Sequence, residues 1–362
     1  MNILYISSKK RWGGVVSWMI KTASGLEKKG HKVWILSHPD SKLNKNLPGN
    51  IRIISKKLGA DYNPLMIVYL IYFIKNNKIE LLVTNIEKEI SIGGFAAKIC
   101  GIPNIRRVGN DNDFFDRFKT KFNHNFYVTH SIVPCDAIKD KLKQQAEWLN
   151  MEEFTTIYNG RNPHCFIEEE TIKRKKEIGL RKEDKIIGIT SQLTNIKCID
   201  QLIKAFANIS KKNPEWKLVI TGEGPERKNL EKLTSEINLN NTIFAGFTAK
   251  PILTASIYDI AVLTSEIEGF PNSIVEYFAA GKPVIATDVG GVNEIITDNF
   301  NGFLIPSGEI DLLSKKLEIL MNDEKLRKKF SANALITLNK KFTEDIMIEK
   351  LEKLYGNLIR HA

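Results

Sequence analysis

The stretch Glu268-Gly-Phe-Pro-Asn-Ser-Ile-Val-Glu276, followed by Gly281-Lys-Pro-Val-Ile-Ala-Thr287 and then Gly290-Gly291, sets the reading of the whole chain. Pro271 opens a helix, Asn272 and Ser273 supply its first turn, and Gly281 stops it just past Ala280. Pro283 then leads into a buried strand, Val284–Thr287. The amides at a helix start have no partner within the helix and favour a negatively charged group. Glu268 stands before this helix and Glu276 inside it, so the two reach different parts of a ligand spanning the site. Carboxylates are strong acceptors for hydroxyl groups.

Outward from this segment, strand candidates alternate with helix-length stretches along the chain, which predicts α/β units with parallel sheets. Strands are expected at Ile3–Ser7, Lys32–Leu36, Ile51–Ile54, Leu81–Thr84, Asn104–Val108, Tyr127–Val133 and Thr155–Ile157. Helices are expected at Val16–Lys28, Pro64–Asn76, Ile90–Cys100 and Asp136–Leu149. Residues 159–184 read as a connection, with turn signals at Asn159-Gly160 and Asn162-Pro163 and an acidic run before a basic one. A second series follows, with strands at Ile186–Thr190, Lys217–Thr221, Thr242–Ala245, Ile260–Thr264, Val284–Thr287 and Phe303–Ile305. Helices Asp311–Met321, Glu324–Asn339 and Glu344–Ile359 complete the chain. Two open α/β domains are expected to face a central cleft, with ligands bound beyond the carboxyl ends of the strands.

Bulk properties narrow the class. A chain of 362 residues, 43% hydrophobic and 26% charged, suits two globular cores. Met1-Asn-Ile-Leu-Tyr-Ile6 reads directly as a first strand, so no signal peptide is expected. The longest apolar run, Leu65–Ile74, is half of what a membrane-spanning helix needs. Cys100, Cys135, Cys165 and Cys198 are widely spaced with no Cys-x-x-Cys, so neither a zinc site nor a disulfide framework is indicated and a reducing cytoplasm fits. The net charge of +11 is uneven. Residues 1–150 hold 24 Lys/Arg against 12 Asp/Glu, and the remainder holds 29 against 30. The first half therefore carries a positive field suited to an anionic partner, unless the lysines reflect only a compositional bias.

The segment from Glu268 to Gly291 resembles the donor-site signature of the retaining nucleotide-sugar glycosyltransferases of family four, of the bacterial cell-surface polysaccharide and lipopolysaccharide type. The resemblance covers essentially the whole chain. It implies the GT-B fold, with two Rossmann-like domains: an acceptor-side domain at 1–160, a nucleotide-sugar domain at 161–343, and a helix at 344–362 crossing back to the first. It implies that Glu268 contacts the transferred sugar and Glu276 the ribose hydroxyls, while Phe270, Asn272, Ser273 and Ile274 line the sugar and diphosphate. Trp12-Gly13-Gly14 follows the first strand where family members carry a glycine pair, so Gly13 and Gly14 are expected to approach the donor diphosphate and acceptor. A plain strand-to-helix turn is the alternative.

Other positions match the family less closely. Lys197 aligns with the family lysine and is expected to hold a point charge against the diphosphate and the departing charge. Gln192 stands where an arginine is expected, and Cys198 where a glycine often follows. Gln192 donates hydrogen bonds but cannot neutralise a phosphate, which weakens the case for tight diphosphate binding. Phe247 and Thr248 match a region near the nucleobase, although turns explain them equally well. The histidine that many members place after a first-domain strand is missing from Ile105–Asp113. Asn110, Asp111 or Asp113 are candidates for that space, and Arg106 and Arg107 for an anionic acceptor. Phe114, Phe115 and Phe118 have near-helical spacing, which points to packing rather than to a nucleic-acid platform.

The implied reaction is front-face transfer with retention, the leaving diphosphate taking the acceptor proton. Lys197 and the amides of Gly14 and residues 272–274 would stabilise charge. No metal and no cofactor are expected beyond the nucleoside-diphosphate sugar itself, with UDP favoured over GDP. The expected partners are that donor, a lipid-linked or polysaccharide acceptor of the cell envelope, and an anionic membrane surface at the inner face of the cytoplasmic membrane; nucleic acid is not expected. The rival readings are a sugar-nucleotide epimerase of the same fold and a non-catalytic binder of anionic lipid with a decayed donor site.

Overall fold

The computed structural model describes residues 1–10, 13–41, 51–109, 114 and 117–362. The chain divides into two compact units, one of Met1–Asn159 with Glu344–Ala362 and one of Gly160–Thr343.

The first unit is built on seven strands: β1 (Asn2–Ser7), β2 (Lys32–Ser37), β3 (Arg52–Ser55), β4 (Leu81–Thr84), β5 (Asn104–Arg107), β6 (His130–Val133) and β7 (Phe154–Thr156). They form one parallel sheet in the order β3-β2-β1-β4-β5-β6-β7. The two-residue period of β1 sends Ile3 and Tyr5 to one face and Leu4 and Ile6 to the other. Ile3 and Tyr5 meet Met19, Ala23, Leu351 and Tyr355, while Leu4 and Ile6 meet Leu70, Ile74 and Ala96. Both faces are covered, as parallel sheets require. The helices Gly14–Lys28 and Glu344–Arg360 share the first face. The approach is close enough that a Cβ on Gly25 would lie 2.5 Å from Ile348. The buried hydroxyls of Tyr5 and Tyr355 are hydrogen-bonded at 3.2 Å.

The second unit has six parallel strands: β8 (Lys185–Thr190), β9 (Trp216–Thr221), β10 (Thr242–Gly246), β11 (Ile260–Leu263), β12 (Val284–Thr287) and β13 (Gly302–Ile305), in the order β10-β9-β8-β11-β12-β13. In each sheet the strand order runs outward from a central pair, β1 and β4 in the first and β8 and β11 in the second. The loops leaving such a pair diverge to opposite faces and open a crevice at the carboxyl ends. Two Rossmann-like domains with parallel sheets make this a GT-B fold.

Several boundaries differ from expectation. Tyr127 ends a helix, Phe118–Tyr127, so the strand expected from Tyr127 begins only at His130. The helix from Asp136 stops at Gln145 rather than Leu149. The stretch expected as Ile90–Cys100 is helical from Glu87 and passes through a π turn at Ile90–Gly94, where a Cβ on Gly93 would lie 2.6 Å from Ile6. The connection 159–184 contains the helix Glu168–Glu177. Three glutamates in its first turn and Arg174, Lys175 and Lys176 in its last complement the helix dipole.

Candidate functional site

The site grows from the central strand pair of the second sheet. After β8 the chain makes a short 3-10 turn at Asn195–Lys197, and the helix Ile199–Ser210 follows. After β11 it runs through Thr264 and Ser265 to Glu268. Lys197 Nζ lies 2.6 Å from Glu268 Oε1, with side chains only 18% and 10% exposed. Ser265 Oγ donates to the same oxygen at 2.7 Å, and Thr264 Oγ1 donates to the Lys197 carbonyl at 2.9 Å. Both loops are thereby tied together at the mouth of the crevice. Among the described residues nothing bonds Glu268 Oε2.

The glycine pair behind this turn has a structural task. Gly290 takes a left-handed conformation at φ +55°, and a Cβ there would lie 1.9 Å from the Glu268 carbonyl oxygen. Gly291 N–H donates to the Gly269 carbonyl at 2.9 Å. Gly290-Gly291 therefore buttresses the backbone that aims Glu268.

The expected helix is present as Asn272–Ala279, with Pro271 just ahead of it and no side chain capping its start. It ends in a Schellman arrangement, Gly281 N–H to Phe278 O and Lys282 N–H to Tyr277 O, both at 2.9 Å, with Gly281 at φ +64°. Ile274, Val275, Tyr277 and Phe278 are buried, whereas Ser273 and Glu276 are partly open. Phe270 is buried and meets the Phe342 ring at 6.2 Å, so it supports the helix start from within the core. Tyr277 Oη accepts from Thr190 N–H at 2.7 Å and fixes the helix to the end of β8.

Glu276 has a partner that sequence reading missed. Arg161 Nε and Nη2 both donate to Glu276 Oε1, at 3.1 and 2.9 Å, and the side chains are 10% and 14% exposed. Arg161 stands between the turn signals Asn159-Gly160 and Asn162-Pro163, where a lone arginine in a linker carries no periodic or motif signal. Glu268 and Glu276 thus share one design. Each has a cation on Oε1, and Oε2 is uncommitted among the described residues. Such oxygens are acceptors for hydroxyls, and Lys197 retains two further N–H donors for an anion.

The remaining candidates are more scattered. Gln192 is exposed at the end of β8, its carbonyl accepting from Thr194 N–H at 3.0 Å. Cys198, at the position of the frequent family glycine, adopts the conformation glycine favours, φ 46° and ψ 42°. Its buried thiol has its pKa raised by desolvation. Phe247 is exposed, and Thr248 Oγ1 bonds Thr254 Oγ1 at 2.9 Å. Together they line a cleft of about 380 Å³ with Glu170, Lys173, Arg174 and Lys250. Gly222, at φ +139°, has the Ser191 carbonyl where a Cβ would stand, which makes it a structural turn.

In the first unit, Gly13 is extended and Gly14 begins the helix Gly14–Lys28. Neither has positive φ, and no described atom lies within 4 Å of a Cβ built on either. The fold itself does not require glycine at these positions. Arg106 is buried, paired with Glu87 at 3.1 Å and stacked on Phe114 at 4.0 Å, and Arg107 is buried beside the Trp18 ring. Both are core residues, contrary to a role in meeting an acceptor at the surface. Phe114 is packed as expected, but Phe118 is not: it is 84% exposed. Asn110, Asp111, Asp113, Trp12 and Phe115 lie outside the described residues. Among the described residues no group of three or more His, Cys, Asp or Glu is placed to hold a metal ion.

Over residues 170–336, within the second unit, the chain matches the family described as glycosyl transferases group 1. It is 25% identical over 210 residues to an N-acetyl-alpha-D-glucosaminyl L-malate synthase of Bacillus anthracis, covering 58% of this chain and 55% of that protein. It is 27% identical over 385 residues to an alpha-monoglucosyldiacylglycerol synthase of Acholeplasma laidlawii, covering 96% and 94%. The chain spans about half the length of several curated relatives it matches, the Bacillus anthracis synthase among them. In structure it is similar to Anabaena HepE solved with UDP, at a TM-score of 0.85 and 20% identity over 99% of this chain and 100% of that one. These likenesses do not favour the epimerase or the non-catalytic binder.

Proposed function

We propose that the chain transfers a sugar from a nucleoside-diphosphate sugar to an acceptor hydroxyl, with the anomeric configuration retained. The observation that carries this reading is the pair of cation-held glutamates, Glu268 and Glu276, at the central strand pair of a glycosyltransferase domain. Glu268 receives hydroxyls of the transferred sugar on Oε2, and Glu276 receives the ribose hydroxyls. Lys197 turns its remaining donors to the diphosphate, joined by the amides at the start of the helix Asn272–Ala279. Gln192 adds a hydrogen bond but no charge. Neither glutamate serves as a nucleophile, since each is anchored by a cation as a binding group. The leaving diphosphate takes the acceptor proton, and the protein contributes positioning and charge stabilisation. UDP is the favoured carrier; HepE, solved with UDP, supports that choice by fold alone. Calorimetric titration of UDP, GDP and ADP tests the reading. Binding of one nucleotide that is lost in both Lys197→Ala and Glu276→Ala supports it, and binding of none overturns it.

The acceptor in this reading is a lipid-linked or polysaccharide chain of the cell envelope, met by a protein resting on the inner face of the cytoplasmic membrane. No helix among the described residues is long and apolar enough to cross a membrane. Support comes from a face of the first unit. The helix Pro64–Asn76 exposes Leu65 (83%), Val68 and Tyr72, and the adjoining helices expose Ile99, Phe118 and Phe126. Phe122 stacks between Phe118 and Phe126, with centroids at 6.2 and 4.6 Å. The helix Phe118–Tyr127 is inverted, burying Thr120, Asn123 and His124 while its aromatic edge faces out. These three helices carry Lys75, Lys98, Lys119 and Lys121 and no acidic residue. Aromatic and aliphatic groups among lysines suit the interface of an anionic bilayer. The Acholeplasma relative, named for a glycolipid, is in keeping with a lipid acceptor.

A further inference from the structure

We infer that Arg161 is the positioning residue for ribose recognition, holding Glu276 so that its second oxygen meets the ribose hydroxyls. The inference rests on the reading of Glu276 as the ribose contact and adds a residue that neither the motif nor the spacing of the glutamates points to.

Three observations carry it. First, both Nε and Nη2 of Arg161 converge on the single oxygen Oε1 of Glu276, rather than forming the fork-to-fork pair that occupies both carboxylate oxygens. The arrangement fixes the carboxylate plane and leaves Oε2 uncommitted among the described residues. Second, Arg161 is itself held. Its backbone N–H donates to the Phe342 carbonyl at 2.8 Å and Nη1 donates to the Gly160 carbonyl at 2.8 Å. An arginine whose backbone and guanidinium are each anchored in this way loses little freedom when Glu276 receives a ligand. Third, the pair is nearly buried, so removing the arginine leaves a charged carboxylate with no partner and free to change rotamer. Glu276 lies on an otherwise apolar turn of its helix, between Val275 and Tyr277, and the described structure offers it no other cation.

The role is distinguishable from simple support of the fold. A ribose carries a vicinal diol, and 2′-deoxyribose lacks one of its hydroxyls. A carboxylate oxygen aimed at the diol discriminates between the two, because a hydrogen bond to a charged group is stronger than one between neutral groups. The experiment is titration of UDP and 2′-deoxy-UDP, or of the guanosine pair if the wild type binds GDP, into wild type, Arg161→Met and Arg161→Lys. Wild type is expected to prefer the ribonucleotide by at least tenfold. Arg161→Met is expected to bring that ratio below about twofold, with the deoxynucleotide, which keeps its 3′-hydroxyl, weakened less than the ribonucleotide. Arg161→Lys, which keeps charge but not the planar two-donor grip, is expected to give an intermediate ratio and serves if the methionine variant does not fold. Equal weakening of both nucleotides with an unchanged ratio overturns the inference alone and leaves the donor site standing. A wild type with no preference for ribose also overturns it. A wild type that binds no nucleotide overturns the donor-site reading, and the inference falls with it.

Discussion

Lys197 Nζ and Glu268 Oε1, from loops that follow the central strands β8 and β11, are 2.6 Å apart. The lysine that motif matching assigns to a diphosphate is therefore neutralised by the glutamate that motif matching assigns to the sugar. In the proposed function a donor would share Lys197 with Glu268, and the lysine has donors enough for both. Lys197→Ala is expected to abolish measurable nucleotide binding and to lower stability by about 1–2 kcal/mol, less than a fully buried pair because both groups retain some water. Urea unfolding alongside calorimetry checks this. Unchanged stability together with unchanged binding would show that the pair does neither job.

The two kinds of glycine in the motifs should respond in opposite ways. Gly290→Ala places a methyl against the Glu268 carbonyl at positive φ and is expected to lower stability by about 2–3 kcal/mol. Gly14→Ala meets open space at a helix start and is expected to raise stability by up to about 1 kcal/mol. Its transfer activity should nevertheless fall at least tenfold, if a ligand approaches that glycine. A Gly14→Ala enzyme of full activity would remove Gly14 from the site.

Cys198 occupies a left-handed conformation without being glycine. Cys198→Gly relieves a strain of about 1–2 kcal/mol and forfeits part of it through chain entropy and a lost buried thiol, for a net gain of about 0.5–1 kcal/mol. A higher urea midpoint with an unchanged slope is the expected result. A destabilised glycine variant would mean that the thiol's packing outweighs the backbone strain.

His124 is buried among Phe114, Trp148 and Phe154, and neither ring nitrogen has a hydrogen-bond partner. Burial, with the Arg106 charge nearby, pushes its pKa down to about 3. The folded protein therefore resists a proton that the unfolded chain accepts below about pH 6.5. The stability that this neutral histidine contributes is present above pH 6.5 and is lost as pH falls toward 3, by at most about 1.4 kcal/mol per pH unit. Unfolding measured at pH 7, 6, 5 and 4 should show a steeper decline in wild type than in His124→Phe. Parallel curves would refute the assignment.

The exposed aromatic edge gives a separate prediction. Wild type should co-sediment with vesicles containing anionic lipid at about 0.1 M salt, where exposed charges are already partly screened. The variant Leu65→Ser/Phe118→Ser/Phe126→Ser should lose most of that binding while keeping nucleotide affinity, because these side chains are not part of the core. Equal partition of both proteins would leave the apolar face without a lipid partner.

The backbone framework was legible from local signals. Leu81–Thr84, Val284–Thr287 and Pro64–Asn76 fall at the residues that alternation, Pro and Gly indicate, because buried parallel strands and capped helices leave short-range patterns. The helix Phe118–Tyr127 was not legible, since its pattern is inverted and its polar residues find their burial in the tertiary structure. Within the site, sequence by itself determined the identity and spacing of Glu268 and Glu276 and the nearness of the glycine pair to them, because these lie on one continuous segment. Only tertiary structure decided which cations serve them. Lys197 is 71 residues from Glu268, and Arg161 is 115 residues from Glu276. Pairings over such separations depend on strand order and packing, which no local period encodes.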